Sequence, residues 1–150
     1  MPRAGKNINW TGVTNTPTWT TSTICNYYGS ITLISGMTLT ASSQSYTYRG
    51  KGAATLTSAT KSWGKSLNID CAPGSLTLGD DMTLGANGII GGFASGTFDA
   101  ADFNVTKTST GNMIATSASN TGTLNMGNGT WEHQSSGSVL GINGATVNAE

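Results

Sequence analysis

A twelve-residue phrase occurs twice in this chain, and its spacing limits the fold more than any other feature. Gly29-Ser30-Ile31-Thr32-Leu33-Ile34-Ser35-Gly36-Met37-Thr38-Leu39-Thr40 and the stretch from Gly74 to Gly85 agree at seven of twelve positions. Weaker copies begin at Gly52, Gly96 and Gly122, with a degenerate one at Gly144, so successive starts are 23, 22, 22, 26 and 22 residues apart. A fixed period of this length is the mark of a solenoid, in which one unit cannot bury its own apolar face and each turn roofs the next.

Within each unit the apolar residues return at three places. Ile31, Ala54, Leu76, Phe98 and Leu124 lie two residues after the repeat glycine, and Leu33, Leu56, Leu78, Ala100 and Met126 lie two further on. A second cluster holds Met37 and Leu39, Met82 and Leu84, Phe103 and Val105, and Trp131; the copy after Gly52 departs, with Thr60 and Ser62 at those places. A third holds Tyr46 and Tyr48, Leu67 and Ile69, Ile89 and Ile90, Met113 and Ile114, and Val139 and Leu140. Apolar residues alternating with threonine, as in Ser30-Ile31-Thr32-Leu33, are what a half-buried strand requires.

The expected fold is therefore all-β: a right-handed parallel β-helix (solenoid) of five to six coils of about 22 residues, with three short strands per coil. Leu33, Leu56 and Leu78 are expected to touch in one column. Residues 1–28 carry Trp10, Trp19, Ile24, Tyr27 and Tyr28 outside the repeat register and are expected to form an N-terminal cap on the solenoid of residues 29–150. The whole is one domain, or a fragment of a longer chain.

Composition narrows the function. Charged residues make up 9% of the chain, against about 25% in a typical soluble domain. Disorder is disfavoured, because Thr, Ile, Val, Trp, Tyr and Phe recur throughout. Net charge is zero and the basic residues, Arg3, Lys6, Arg49, Lys51, Lys61, Lys65 and Lys107, are scattered, so counterion release cannot drive nucleic acid binding. No apolar run reaches the roughly 20 residues that span a bilayer, and the N-terminus lacks the apolar segment of a secretory signal. Cys25 and Cys71 stand two repeats apart, roughly 10 Å at strand spacing, so free thiols are expected.

The one constellation that suggests chemistry is acidic. Asp80 and Asp102 each lie six residues after their repeat glycine, with Asp81 alongside, so they are expected to stack about 5 Å apart on neighbouring coils. Parallel β-helices also host polysaccharide lyases and hydrolases, in which such carboxylates bind calcium or act as an acid and base pair; the plainer reading is that these carboxylates satisfy turn hydrogen bonds at coil corners. His133 is the single histidine and reads as a solvated strand-end residue, not a metal ligand. The outward ladder Thr32, Thr55, Thr77, Asp99 and Asn125 begins as threonine, a good exposed strand residue, and then turns acidic and amidic. Neither a catalytic residue, nor a cofactor, nor a metal is expected.

The stretch from Gly96 through Trp131, with Gly96-Thr97-Phe98-Asp99-Ala100, Asp102-Phe103-Asn104-Val105-Thr106 and Gly122-Thr123-Leu124-Asn125-Met126-Gly127-Asn128-Gly129-Thr130-Trp131, resembles repeat modules of phage tail-fibre or appendage proteins and of bacterial surface solenoids. The resemblance implies a non-enzymatic structural or adhesive element of a virion or cell exterior. It also implies a homo-oligomer, a trimer before other states, or packing against other virion proteins. A carbohydrate-active or carbohydrate-binding β-helix using Asp80 and Asp102 against cell-surface carbohydrate is the alternative, and a bacterial adhesin repeat a third reading.

Overall fold

The computed structural model describes residues 6–20, 24–40, 45–136, 140–141 and 143–149. Every pairing between its strands is parallel, and no helix occurs among the described residues. The chain winds as a β-solenoid of about 6 turns with ~23-residue coils, slightly longer per turn than the glycine spacing suggests.

Three faces line the winding. The first stacks Ile8–Asn9, Ile31–Thr32, Ala53–Thr57, the ends of Leu67–Leu78 and Ile90–Asp99, then Thr123–Asn125 and Thr146–Asn148. The third stacks Cys25–Tyr27, Tyr46–Tyr48, the beginnings of those same two long strands, Ile114–Ala115 and Leu140–Gly141. The second is split into Thr18–Thr20 on Thr38–Thr40, and a four-strand ladder of Ser62–Trp63, Met82–Leu84, Val105–Lys107 and Trp131–His133. Three short strands per coil therefore hold for most turns. In two of them the third and first sides run together as one bent strand, of 12 and 10 residues, with register shifts around Ser95 where it turns the corner.

Two expectations about register change. Ile31, not Leu33, lies over Leu56, which in turn lies over Leu78; the anticipated leucine column is displaced by two residues at its first rung. A slip of two preserves which side chains face inward. It sets Ile31 against Leu56 instead of the small Ala54, and lets the Ser30 hydroxyl accept the Thr55 N–H at 3.0 Å. Within residues 1–28, expected to form a cap outside the register, the strands Ile8–Asn9, Thr18–Thr20 and Cys25–Tyr27 follow the winding as well: Ile8 pairs with Ile31, Trp19 with Leu39 and Cys25 with Tyr46. The far end conforms with a one-residue offset, since Thr123 pairs with Thr146, which brings Ala145 rather than Gly144 opposite Gly122.

The interior is a set of columns. Ala54, Leu76, Phe98 and Leu124 are buried on the first face, and Tyr27, Tyr48 and Ile69 with Tyr46, Leu67, Ile90 and Ile114 on the third. Each large side chain withdrawn from water contributes about 1.5–3 kcal/mol, and stacking supplies the cover that a single coil lacks. Trp10 and Trp19 are half-buried against this core and Tyr27 is fully within it, while Ile24 and Tyr28 are exposed.

Burying the tyrosines has a consequence for pH. Desolvation raises Tyr48 to about 12 and Tyr27 well above the ordinary 10.0, and it also raises the thiols of Cys25 and Cys71. Both thiols are free. For a raised acid the stabilisation is complete below the unfolded value and is lost as pH climbs through the folded one. Desolvation lowers Lys107, which works in the opposite sense, but it is one group against four. Stability is thus expected to fall between about pH 9 and about pH 12, followed as the urea midpoint against pH. Tyr48→Phe should flatten that decline at the cost of the Tyr48 hydroxyl's hydrogen bond to the Gly52 carbonyl. An unchanged slope in the variant would show that the loss arises elsewhere.

Candidate functional site: the corner of carboxylates and amides

The acidic residues singled out in the sequence sit where the first face turns into the second. A corner leaves backbone N–H groups without ladder partners, and these must find an acceptor. Asp80 supplies one to the turn before it: its two oxygens accept the N–H groups of Ser58 and Ala59, each at 2.6 Å. Ala59 and Thr60 have φ of 50° and 65°, so this corner holds two non-glycine residues in the left-handed region. The Ser58 hydroxyl completes the joint by donating to the Asp81 carbonyl at 2.9 Å.

Asp81 and Asp102 face the following turn instead. Asp81 accepts the backbone and side-chain N–H groups of Asn104 at 2.8 and 3.2 Å, and Asn104 accepts the Thr130 N–H at 2.8 Å. Asp102 Oδ1 accepts from the backbone and side chain of Asn128 at 3.3 and 3.0 Å. The three carboxylates thus act as hydrogen-bonded struts between coils, with Asp80 engaged on one side and Asp102 on the other. Hydrogen bonds to a charged acceptor are worth about 1.5–3 kcal/mol. Asp80→Ala, which frees two amides, is therefore expected to cost about 3 kcal/mol in chemical denaturation; a loss below about 0.5 kcal/mol would mean that water replaces the carboxylate fully.

Beside these struts lies an open cleft of about 440 Å³ lined by Asp99, Ala101, Asp102, Asn125, Gly127 and Asn148. Asp99, Asn125 and Asn148 share one outward position of the first face in consecutive turns. Asp99 Oδ1 accepts the Ala101 N–H at 2.8 Å, and Asn148 Nδ2 donates to Asn125 Oδ1 at 2.8 Å. Of the acidic residues proposed from sequence, Asp102 lines this cleft and Asp80 and Asp81 do not. Sequence reading placed Asp99 and Asn125 on the outward ladder but missed Asn148, whose place is visible only once Thr146 is paired with Thr123.

Other polar groups are also occupied in holding turns. Arg49 forms an ion pair with Asp70 at 3.1 Å and donates to Asn26 Oδ1, while Ser95 donates to Asp70. Lys107 is buried in the column below Leu84, where its ammonium donates to the Gly85 and Gly88 carbonyls at 3.2 and 2.7 Å. In the sequence it is one of seven scattered basic residues, with nothing to mark it as buried. His133 accepts the Ser135 N–H at Nδ1, which assigns the proton to Nε2, 2.7 Å from the Gly111 carbonyl. It is the last residue of Trp131–His133 and is half-buried. Among the described residues no group of three or more His, Cys, Asp or Glu is placed to hold a metal ion, and no helix is long and apolar enough to cross a membrane.

No protein-family model, curated protein or solved structure matches this chain. The likeness of residues 96–131 to tail-appendage and surface-repeat modules accordingly rests on the quoted residues alone.

Proposed function

We propose that this chain is a non-enzymatic structural and adhesive solenoid of a phage tail fibre or comparable virion appendage. The observation that carries the reading is the use of the corner carboxylates. Asp80, Asp81 and Asp102 are engaged by amides of adjoining coils, which suits a rod whose acidic residues join its turns. The stack supplies reach and stiffness, and its outward rows of threonine, asparagine and aspartate supply a polar surface for contact with a host or a neighbouring subunit. Its place is a virion or extracellular surface, and its partner is another copy of itself, in trimers, or a second virion protein.

Light scattering at micromolar concentration tests the assembly: trimers are expected, and a monodisperse monomer would overturn that part of the reading. The carbohydrate-active alternative predicts depolymerisation of a bacterial polysaccharide that Asp80→Asn and Asp102→Asn abolish. The structural reading predicts no turnover in any variant, and lower stability in Asp80→Asn.

A further inference from the structure

We infer that the cleft between Asp99, Asp102, Asn125 and Asn148 is a subsite for a neutral, hydroxyl-rich glycan. This deepens the adhesive reading above and rests on it.

The choice of residues is the first argument. In the turns before the cleft the same outward position of the first face is Thr55 and then Thr77, residues that suit an exposed strand. It then becomes Asp99, Asn125 and Asn148 in three consecutive turns. Asp and Asn are depleted in strands, and a solenoid of this kind is built without them two turns earlier. Asp99 serves the corner by accepting the Ala101 N–H, but the side chains of Asn125 and Asn148 bond only to each other among the described residues, so at these two places the substitution satisfies no backbone group, and it coincides with the concavity.

The second argument is which atoms remain available. Asp99 Oδ1 is tied to the Ala101 N–H, Asp102 Oδ1 to Asn128, and Asn125 Oδ1 to Asn148 Nδ2. Asp99 Oδ2, Asp102 Oδ2, Asn148 Oδ1 and Asn125 Nδ2 have no partner among the described residues. One half of each side chain thus fixes its orientation, and the other half is left to a ligand of the cleft these residues line: three acceptor oxygens, two of them on carboxylates, with the Asn125 amide and the second N–H of Asn148 as donors.

That inventory selects a ligand class. An anion would meet two carboxylates. A bare metal ion would use the acceptors and oppose the amide donors. A sugar hydroxyl both donates and accepts, so adjacent hydroxyls can satisfy a carboxylate and an amide together. The rungs repeat at about 4.8 Å, which suits a glycan lying along the solenoid with successive rings on successive turns. Ala101 carries only a methyl group, leaving room for a ring to approach, while Gly127 has a φ of 64° and no space for a Cβ against the Ala101 carbonyl.

The test is titration of the intact ¹⁵N-labelled chain, in the presence of EDTA, with neutral oligosaccharides derived from mannan, dextran, cellulose and galactan, and with acidic oligogalacturonate. At least one neutral oligosaccharide is expected to shift the side-chain amide signals of Asn125 and Asn148 with a dissociation constant of about 1 mM, and oligogalacturonate to leave them in place. Asp99→Asn, and separately Asn125→Ala with Asn148→Ala, should weaken binding by about tenfold or more while the remaining spectrum stays that of the solenoid. The assignment is overturned if no neutral member moves these signals, if the acidic oligosaccharide binds equally, or if the variants bind as well as the parent. A trimer that binds no sugar would sink this inference alone, whereas a monomer that binds would sink the assembly and leave the cleft standing.

Discussion

Gly96→Ala is expected to destabilise the solenoid by about 3 kcal/mol or more, while Gly52→Ala changes stability by less than about 0.5 kcal/mol. Both glycines open a repeat in the sequence, so period alone would rank them equally. Gly96 has a φ of 88°, a conformation that costs a residue with a Cβ about 1 kcal/mol or more. A Cβ there would also lie 2.8 Å from the Ala72 nitrogen and overlap the buried Cys71 sulfur of the preceding turn. Cys71 has little room to yield, since it is fully buried and its thiol donates to the Gly74 carbonyl at 3.2 Å. At Gly52 an added methyl meets nothing within 4 Å, and φ lies outside the left-handed region. Urea denaturation of the two variants measures the contrast, and equal losses would mean that neither the left-handed φ nor the contact with Cys71 sets the cost at Gly96, since the reduced chain entropy of a Gly→Ala change by itself stabilises.

That contrast also explains how much of the fold the sequence discloses. The third face was legible as a cluster, since Tyr46 and Tyr48, Leu67 and Ile69, Ile90, and Ile114 were all placed on it, but not as a register: Tyr46 lies over Leu67, 21 residues on, Leu67 over Ile90, 23 on, and Ile90 over Ile114, 24 on. On the second face the frame drifts. Counting from the glycines aligns Ser62 and Thr60 with Leu84 and Met82, but Trp63 pairs with Leu84, and Lys107, not Val105, stands on Leu84's other side. Corners absorb one or two residues, and strict counting from the last glycine cannot register this. The strands Ile8–Asn9, Thr18–Thr20 and Cys25–Tyr27 were hidden for a related reason: they lack the glycine phrase and show their membership only through pairing with Ile31–Thr32, Thr38–Thr40 and Tyr46–Tyr48.

The candidate site follows the same rule. That carboxylates would occupy corners was readable from Asp80, Asp81 and Asp102, but their partners depend on register between turns. Asp81 meets Asn104 and Asp102 meets Asn128, at separations of 23 and 26 residues that no local pattern announces. The cleft depends on three turns being aligned at once, so Asn148 carries no signal of its own in the sequence.

Trp63→Ala is expected to cost about 4 kcal/mol and to loosen the first two turns more than the rest. Trp63 is fully buried, in the position where counting expected the small Ser62. The second face is interrupted here: Thr38–Thr40 pairs back to Thr18–Thr20, and Ser62–Trp63 pairs forward to Met82–Leu84. Aromatic contacts cross the interruption, with ring centroids 6.3 Å apart from Trp10 to Trp19, 5.9 Å from Trp19 to Tyr46, and 5.0 Å from Tyr46 to Trp63, the last two edge-on. Edge-on pairs add about 0.5–1.5 kcal/mol beyond the area they bury. The Trp63 Nε1 has no hydrogen-bond partner, so the loss on truncation is one of packing, and Trp63→Phe should recover most of it. In amide hydrogen exchange of Trp63→Ala, residues 8–20 and 24–40 should lose protection ahead of residues 82–133, because the first and third faces alone then tie the early turns to the later ones. A uniform loss of protection along the chain would show that the aromatic bridge does not carry this coupling.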